Sequence, residues 1–277
     1  EICACLVGSE MCIRDRGSAR RNTLYATVSK GYKAGGFNTQ MFSDVLQQQV
    51  MKQMGFGSLY DVADVVTYKP EKSWNYEVGA HLSTPSHKVQ ADLALFYIDC
   101  RDQQLTVFPE GQVTGRLMTN AGRTRSFGGE ASLLATLWRN LDLQVAYGYT
   151  RATFVKFDTG KADYAGNFIP YAPQHTLYAG ASYTLRTGWN WLEYVIFRVA
   201  ANGAGRIYWN EANTFSQPFY ALLEASIRFE HRHWAVDVWG RNLTDTRYDT
   251  FYFMSIGNSF LQRGRPRTFG VSLSITL

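Results

Sequence analysis

Apolar and small polar side chains alternate without exception over the last ten residues of the chain. The apolar positions are Phe269, Val271, Leu273, Ile275 and Leu277, and the positions between them are Thr268, Gly270, Ser272, Ser274 and Thr276. A period of two is that of a β-strand, whose successive side chains point to opposite faces. The same alternation recurs over residues 74–83 and 141–150. The pattern predicts an all-β chain whose strands have one apolar face.

Segments of this kind are numerous and long. Many exceed the about 5–6 residues of an average soluble strand and suit the about 9–11 residues that cross a bilayer at a tilt. No run of about 18 apolar residues occurs, which excludes a transmembrane helix. We predict ten strands, over residues 22–31, 71–84, 88–104, 117–138, 141–157, 172–187, 190–209, 215–230, 233–242 and 264–277.

The connections between these segments alternate between short and long. Short turns are predicted at residues 85–87, 139–140, 187–188 and 231–232, and longer loops at 32–70, 105–116, 158–171, 210–214 and 243–263. Outer-membrane barrels have short turns on one rim and long loops on the other, whereas a soluble sandwich has no reason to sort its connections in this way. We therefore predict an antiparallel up-and-down transmembrane β-barrel architecture.

The first sixteen residues differ from the rest of the chain. Residues 6–16, LVGSEMCIRDR, resemble the translation of a transposon-end adapter used to prepare sequencing libraries, so residues 1–16 are interpreted as an artefact without tertiary contacts and 17–277 as the barrel part. Three of the four cysteines fall there, which leaves Cys100 and no disulfide framework. Removing two basic and three acidic residues changes the counts from 28 and 23 to 26 and 20, a net charge of +6. This surplus is spread along the chain, so we expect no nucleic-acid partner.

Five segments in order resemble the C-terminal barrel of TonB-dependent outer-membrane receptors. They are residues 25–38 (YATVSKGYKAGGFN), 69–79 (KPEKSWNYEVG), 120–130 (NAGRTRSFGGE), 242–248 (NLTDTRY) and 264–277 (GRPRTFGVSLSITL). The resemblance implies a fragment with about ten strands of an expected twenty-two, without the plug domain. It also implies the outer membrane of a Gram-negative bacterium as the location. The implied partners are the TonB energy-transducing complex, reached through the missing N-terminal part, the outer-membrane lipid with lipopolysaccharide, and the barrel-assembly machinery. That machinery commonly reads a terminal aromatic residue, where this chain has Leu277.

Candidate ligand-binding residues are the arginines and aromatic residues predicted in or beside the long loops. By period two, Arg123 and Arg125 point the same way, and their guanidinium groups suit a bidentate contact with an anion. Pairing with lumen carboxylates or with lipopolysaccharide phosphates is the alternative. Some aromatic rings are expected in the interfacial girdle instead. The candidates are Phe37, Tyr60, Tyr68, Phe108, Arg123, Arg125, Tyr164, Trp209, Tyr252, Phe260 and Arg263.

No convincing catalytic or cofactor site appears in the sequence. The glycine-rich GYKAGG at residues 31–36 lacks the Gly-Lys-Ser/Thr of a phosphate loop, and His231 and His233 have no evident third metal ligand. We expect no enzyme activity, no metal and no cofactor. The resemblance implies energised uptake of a scarce nutrient, most commonly a ferric siderophore. A passive porin or adhesin-type barrel is the alternative, and an outer-membrane hydrolase is a third.

The alternation also predicts which face meets lipid. Val271, Leu273 and Ile275 are expected to point outwards with Leu143, Val145, Val78 and Ala80, and Asp142, Gln144, Asn75 and Glu77 to point to the concave side. A charged side chain on the lipid face near the midplane costs about 2–4 kcal/mol for Lys or Arg. Neighbouring strands are therefore expected to agree in phase.

Overall fold

The computed structural model describes residues 22–39, 50, 52–55, 66–86, 88–107, 117–159, 162–255 and 258–276. The segment 1–16 and Leu277 lie outside the described residues. The interpretation of residues 1–16 as a translated adapter therefore stays a prediction.

Strands account for nearly all regular structure in the described residues. They are β1 (Thr23–Lys33), β2 (Gly36–Phe37), β3 (Thr67–Tyr68), β4 (Glu71–Ser83), β5 (Val89–Val107), β6 (Leu117–Trp138), β7 (Leu141–Lys156), β8 (His175–Trp189), β9 (Leu192–Gly205), β10 (Ile207–Tyr208), β11 (Ser216–Gln217), β12 (Tyr220–His231), β13 (Trp234–Arg241), β14 (Asp249–Ser255), β15 (Asn258–Arg263) and β16 (Thr268–Ile275). Among these residues, no helix is long and apolar enough to cross a membrane.

The ten long strands that the alternation predicts form one antiparallel sheet. Its order is β1-β4-β5-β6-β7-β8-β9-β12-β13-β16, so each long strand pairs with the next long strand along the chain. All ten predicted strands are thereby confirmed, as is the all-β meander. A sandwich would instead bury a core between two stacked sheets. The principal buried cluster lies at the loop end of β6 and β7 and consists of Ala121, Ala152, Phe154, Phe157 and Ile169.

The structure corrects the ends of some elements. The predicted strand 190–209 stops at Gly205, and β10 then pairs with β11 in a separate hairpin. The turn predicted at residues 187–188 lies at Asn190 and Trp191, because β8 continues to Trp189. The predicted loop 243–263 contains a second hairpin, β14 with β15. Both hairpins belong to the long connections between the strands of the main sheet.

The strand register confirms that neighbouring strands agree in phase. Val145 pairs with Leu133, which pairs with Ala91. Ala91 pairs with Leu82, which is on the face of Val78 and Ala80. On the other side, Leu143 pairs with Ala181, and the pairs of Ala181 with Val199, Val199 with Ala225 and Ala225 with Gly240 carry the same face to β13. There Val238, Val236 and Trp234 pair with Val271, Leu273 and Ile275. On the opposite face Asp142 pairs with Thr136 and Ser182. One face of the whole sheet is therefore apolar, and the other carries most of the polar side chains.

Candidate ligand-binding site

The long connections gather at one rim of the sheet. Because consecutive long strands run antiparallel, residues 34–70, 108–116, 157–174, 206–219 and 242–267 all connect strand ends on the same side. The opposite rim has tight turns, such as that at Arg139 and Asn140 between β6 and β7. This sorting confirms the predicted arrangement and places the candidate site among the long loops.

Side-chain amides join the long loops to each other and to the loop end of β6. The Asn213 side chain accepts a hydrogen bond from the Phe168 amide at 2.7 Å and donates one to the Phe168 carbonyl at 2.9 Å, which links connection 206–219 to connection 157–174. Asn38 makes the same two bonds to Met118, at 2.9 and 2.8 Å. Asn120 makes them to Lys69, at 2.7 and 3.0 Å. Each amide thus reproduces the paired bonds of a backbone bridge between segments distant in sequence.

The Asn242 side chain also bonds backbone groups, here within the last long connection. It is buried, and its side chain bonds both backbone groups of Thr246, at 2.8 and 3.0 Å, and the carbonyl of Arg265 at 3.1 Å. Asp245 in turn accepts a bond from the Arg267 amide at 3.0 Å. Two of the residues that carry the family resemblance in segment 242–248 therefore serve to hold the loop in shape.

Aromatic rings fill the space between three of these connections. Tyr171 packs on Trp209 and Phe251, with ring centroids 5.6 and 5.5 Å apart, and its hydroxyl donates to the Tyr252 carbonyl at 3.0 Å. Tyr252 also stacks on Phe215 at 4.6 Å. Trp209 and Tyr252 are each only 7% exposed. These two candidates consequently pack inside the loop cluster and present almost no surface to a ligand.

The other aromatic candidates fall into four groups. Phe37 and Phe260 are accessible, at 65% and 47% exposure, and Phe260 stacks on Phe253 at 4.9 Å. Tyr164 packs on Phe157 at 5.5 Å, next to the small core. Tyr68 lies in the short β3 strand, opposite Gly36. Tyr60 and Phe108 lie outside the described residues.

Of the arginine candidates, only Arg263 lies in a long connection, in β15, where it is exposed. Arg123 and Arg125 are exposed on β6, with the buried Thr124 between them, so they point the same way as predicted. Their face, however, is the apolar one. Arg125 pairs with Asp99, and the Arg123 Nε donates to the Asp99 carboxylate at 2.7 Å. They therefore do not face the lumen side of the sheet.

A partly buried acid, Glu211, which the sequence did not suggest, lies in the same loop cluster. Burial raises the pKa of the Glu211 carboxyl above its usual value. Burial, assisted by the charge of Glu211, also raises the pKa of Tyr171 to about 12. The Glu211 carbonyl accepts a bond from the Asn167 side chain at 2.9 Å. An acid in a stretch of Trp, Asn and Thr gives no periodic signal of burial, so sequence patterns could not identify it.

No group of three His, Cys, Asp or Glu side chains that could hold a metal ion occurs in the part of the chain that the structure describes. The His231 and His233 rings lie 5.8 Å apart at the turn between β12 and β13, on the rim opposite the long loops.

A meander of long strands with one apolar face and interlocked loops at one rim defines the class of outer-membrane barrel proteins. The family described as "TonB dependent receptor-like, beta-barrel" matches residues 20–243, and the chain belongs to this family. Its location is accordingly the outer membrane of a Gram-negative bacterium.

Among similar proteins, the pesticin receptor of Yersinia pestis is 27% identical over 258 residues, which cover 91% of this chain and 33% of the receptor. The crystal structure of the ferric yersiniabactin uptake receptor FyuA from Yersinia pestis has a TM-score of 0.70 at 24% identity, covering 92% of this chain and 35% of that one. The ferric preacinetobactin receptor BauA from Acinetobacter baumannii gives 0.62 at 18% identity, covering 91% and 34%. This chain thus spans about a third of the length of these relatives.

Proposed function

We propose that this chain is part of the barrel of an outer-membrane receptor that imports a ferric siderophore, with energy supplied through the TonB complex. Membership of the TonB-dependent receptor family supports the receptor class. The names of the similar ferric yersiniabactin and ferric preacinetobactin receptors support a ferric siderophore as the cargo. A passive porin is not favoured, because none of these relatives is described as one.

The observation that carries the proposal is the interlocked loop cluster at one rim. Asn213 and Tyr171 join neighbouring loops, so the loops form a preorganised surface and do not move independently. A preorganised surface loses less conformational entropy when it captures a ligand. Phe37, Phe260 and Arg263 are exposed there, and they offer ring faces and a guanidinium group to an anionic, partly aromatic chelate.

Uptake of ⁵⁵Fe bound to siderophores tests the proposal. Phenolate, catecholate, hydroxamate and carboxylate siderophores are each supplied to cells that lack the gene and to cells that carry the full-length receptor. We expect the receptor to restore uptake of one class, and a protonophore to abolish it because energy coupling is lost. Uptake that is insensitive to the protonophore, or restoration of no class, would contradict the proposal.

Loop variants test the surface itself. Phe37→Ala and Phe260→Ala are each expected to raise the half-saturating siderophore concentration about tenfold, since aromatic contacts contribute about 0.5–1.5 kcal/mol beyond their burial. Trp191→Ala removes an aromatic ring of 62% exposure from the opposite rim and is the matched control. Equal effects of the three variants would contradict the assignment of Phe37 and Phe260 to the ligand-binding surface. The proposal of siderophore uptake would still be tested by the uptake assay with the four siderophore classes.

A further inference from the structure

The polar face of the sheet, which is its lumen side, is divided by charge. In β4, β5, β6 and β7, the alternate positions of this face at 71–83, 90–100, 124–136 and 142–154 contain no Lys or Arg. They contain five carboxylates, those of Glu71, Glu77, Asp92, Glu130 and Asp142. In β8, β9, β12 and β13 the same face carries an arginine series, which consists of Arg186, Arg198, Arg228 and Arg241.

The register places the arginine series in successive rows along the strands. Arg186 and Arg228 lie opposite positions 194 and 196 of β9, and Arg198 lies two positions further on the same strand. Arg241 ends β13 one row nearer the loop rim. Rows two residues apart are separated by about 7 Å, at about 3.4 Å per residue. The series therefore follows the polar face from the turn rim towards the loop rim.

Three members of the series have no ion-pair partner among the described residues. Arg186, Arg198 and Arg241 are exposed, and only Arg228 forms an ion pair, in which its Nε donates to the Glu230 carboxylate at 2.8 Å. The Arg241 guanidinium lies 4.9 Å from the centre of the Trp239 ring. A guanidinium group has five N–H donors in a planar fork. The three groups thus present unused donors to the lumen.

Two hollows of similar volume lie on either side of Tyr178 on the polar face. The larger hollow, of about 610 Å³, is lined by charges of both signs, from Arg198, Arg241, Asp142, Glu224 and Asp237. The smaller hollow, of about 510 Å³, has charged groups of one sign among its described lining residues, from Glu77, Asp92 and Glu130. The two parts of the wall therefore differ in charge more than in the space they offer.

Electrostatic repulsion separates the two parts of the wall as surfaces for an anion. The five carboxylates of β4–β7 give that part a charge of −5, with His81 neutral. The four arginines of β8, β9, β12 and β13, less the three carboxylates of Glu224, Glu230 and Asp237, give the other part a charge of +1. Walls of one sign of charge concentrate ions of the opposite sign and repel ions of the same sign. An anion in the lumen is thus favoured beside the arginine series.

We propose that the cargo, as an anionic ferric chelate, passes through the lumen along the arginine series and binds in succession at Arg241, Arg198 and Arg186. This inference rests on the proposed uptake function and adds the part of the barrel wall that the cargo contacts. Arginine forks bind carboxylate and other anionic oxygens with charge-assisted bonds. Passage requires several sites that each bind strongly enough for entry and weakly enough for release, and separate guanidinium groups in successive rows meet that requirement.

Uptake kinetics of the full-length receptor test the path, with the ⁵⁵Fe siderophore class that the wild type takes up as the probe. The double variant Arg186→Gln, Arg198→Gln is expected to lower the maximal uptake rate about tenfold, because a wall of matching charge raises the local concentration of an ion by at least that factor. Binding of the same siderophore to protonophore-treated cells is expected to be unchanged, since both residues lie below the loops. Arg186→Lys, Arg198→Lys keeps both charges and should retain most of the uptake.

The matched control is Arg139→Gln, Arg232→Gln, which removes two exposed charges from the turns and is expected to transport like the wild type. An unchanged uptake rate in the arginine-series variant would overturn the path, as would an equal loss in the control. A parallel loss of binding would assign the two arginines to capture and would also overturn it. Sensitivity of the variant cells to vancomycin would show a leaking barrel and would likewise count against the path.

Thiol labelling of the purified full-length receptor tests the wall without a siderophore. Ser226→Cys lies in the larger hollow opposite Arg198, and Ser132→Cys lies in the smaller hollow opposite Asp92. The labelling rate with an anionic sulfonated maleimide, divided by the rate with an uncharged maleimide, should be at least about tenfold higher at position 226. The division removes differences in access. Equal ratios at the two positions would overturn the path whatever the cargo, whereas unequal ratios without uptake of any siderophore class would contradict the uptake proposal alone.

Discussion

Arginine at position 145 tests the assignment of the two faces. Val145 lies on the apolar face of β7 and pairs with Leu133 and Ala179. It is four residues from Leu141 at the turn rim and six from Arg151 towards the loop rim. At about 3.4 Å per residue these separations are about 14 and 20 Å along the strand, so a side chain at this position meets the interior of the bilayer.

Val145→Arg is expected to destabilise the folded receptor by about 2–4 kcal/mol, the cost of Arg at the lipid face near the midplane. This is a factor of about 30 to 700 in the folding equilibrium constant, at about 1.4 kcal/mol per tenfold. Gln144→Arg, one residue away on the polar face, is expected to change stability by less than about 0.5 kcal/mol. Val145→Leu is the control for side-chain volume.

Urea titration of the full-length receptor in lipid vesicles measures these differences, with folding followed by heat-modifiable mobility. The face assignment predicts that only Val145→Arg shifts the midpoint strongly. If Gln144→Arg abolished folding while Val145→Arg had no effect, the two faces would be exchanged and the membrane interpretation would be wrong.

Two further predictions concern the loops. Asn242→Leu leaves three backbone groups unpaired and puts a bulky residue at a φ of 49°. Because each unsatisfied buried group costs about 1–3 kcal/mol, amide hydrogen exchange over residues 242–248 should accelerate at least about tenfold. Asn190→Leu, in an exposed turn, should have no such effect. Because the folded-state pKa of Glu211 is raised, its contribution to loop stability is fully present below its usual pKa and is lost as pH rises through the raised value. Hydrogen exchange of residues 206–219 should therefore slow on acidification in the wild type, and Glu211→Gln should be slow at both pH values. A wild-type rate that falls with rising pH, after correction for intrinsic exchange, would contradict the sign.

The sequence predicted the sheet far better than the loops, and the reason is physical. Along β7 and β16 every second side chain meets lipid, so the solvent imposes a period that is visible in one sequence. In the loops, burial depends on partners that are distant along the chain. Asn213 and Phe168 are 45 residues apart, and Tyr171 and Tyr252 are 81 residues apart. No local pattern encodes such a pairing, so Trp209 and Tyr252 could be selected as aromatic loop residues but not recognised as buried.

For the two arginines on β6, the period of two along a strand predicts more than that they share a face. Period two placed Arg123 and Arg125 on one face, and the apolar residues Phe127, Ala131 and Leu133 have the same parity. Extending the alternation would have put both arginines on the outward face. Charge on that face contradicts a lipid-facing surface only if the whole strand is assumed to lie in hydrocarbon. Tyr97 and Phe127 pair across β5 and β6, and both rings are exposed. Aromatic rings mark the upper limit of the apolar band, and a charge just above them costs little because headgroups and water solvate it. The sequence therefore indicates the height of the membrane boundary as well as the identity of the outward face, because Arg125 and Arg123 lie two and four residues beyond Phe127 on the side of the long loops.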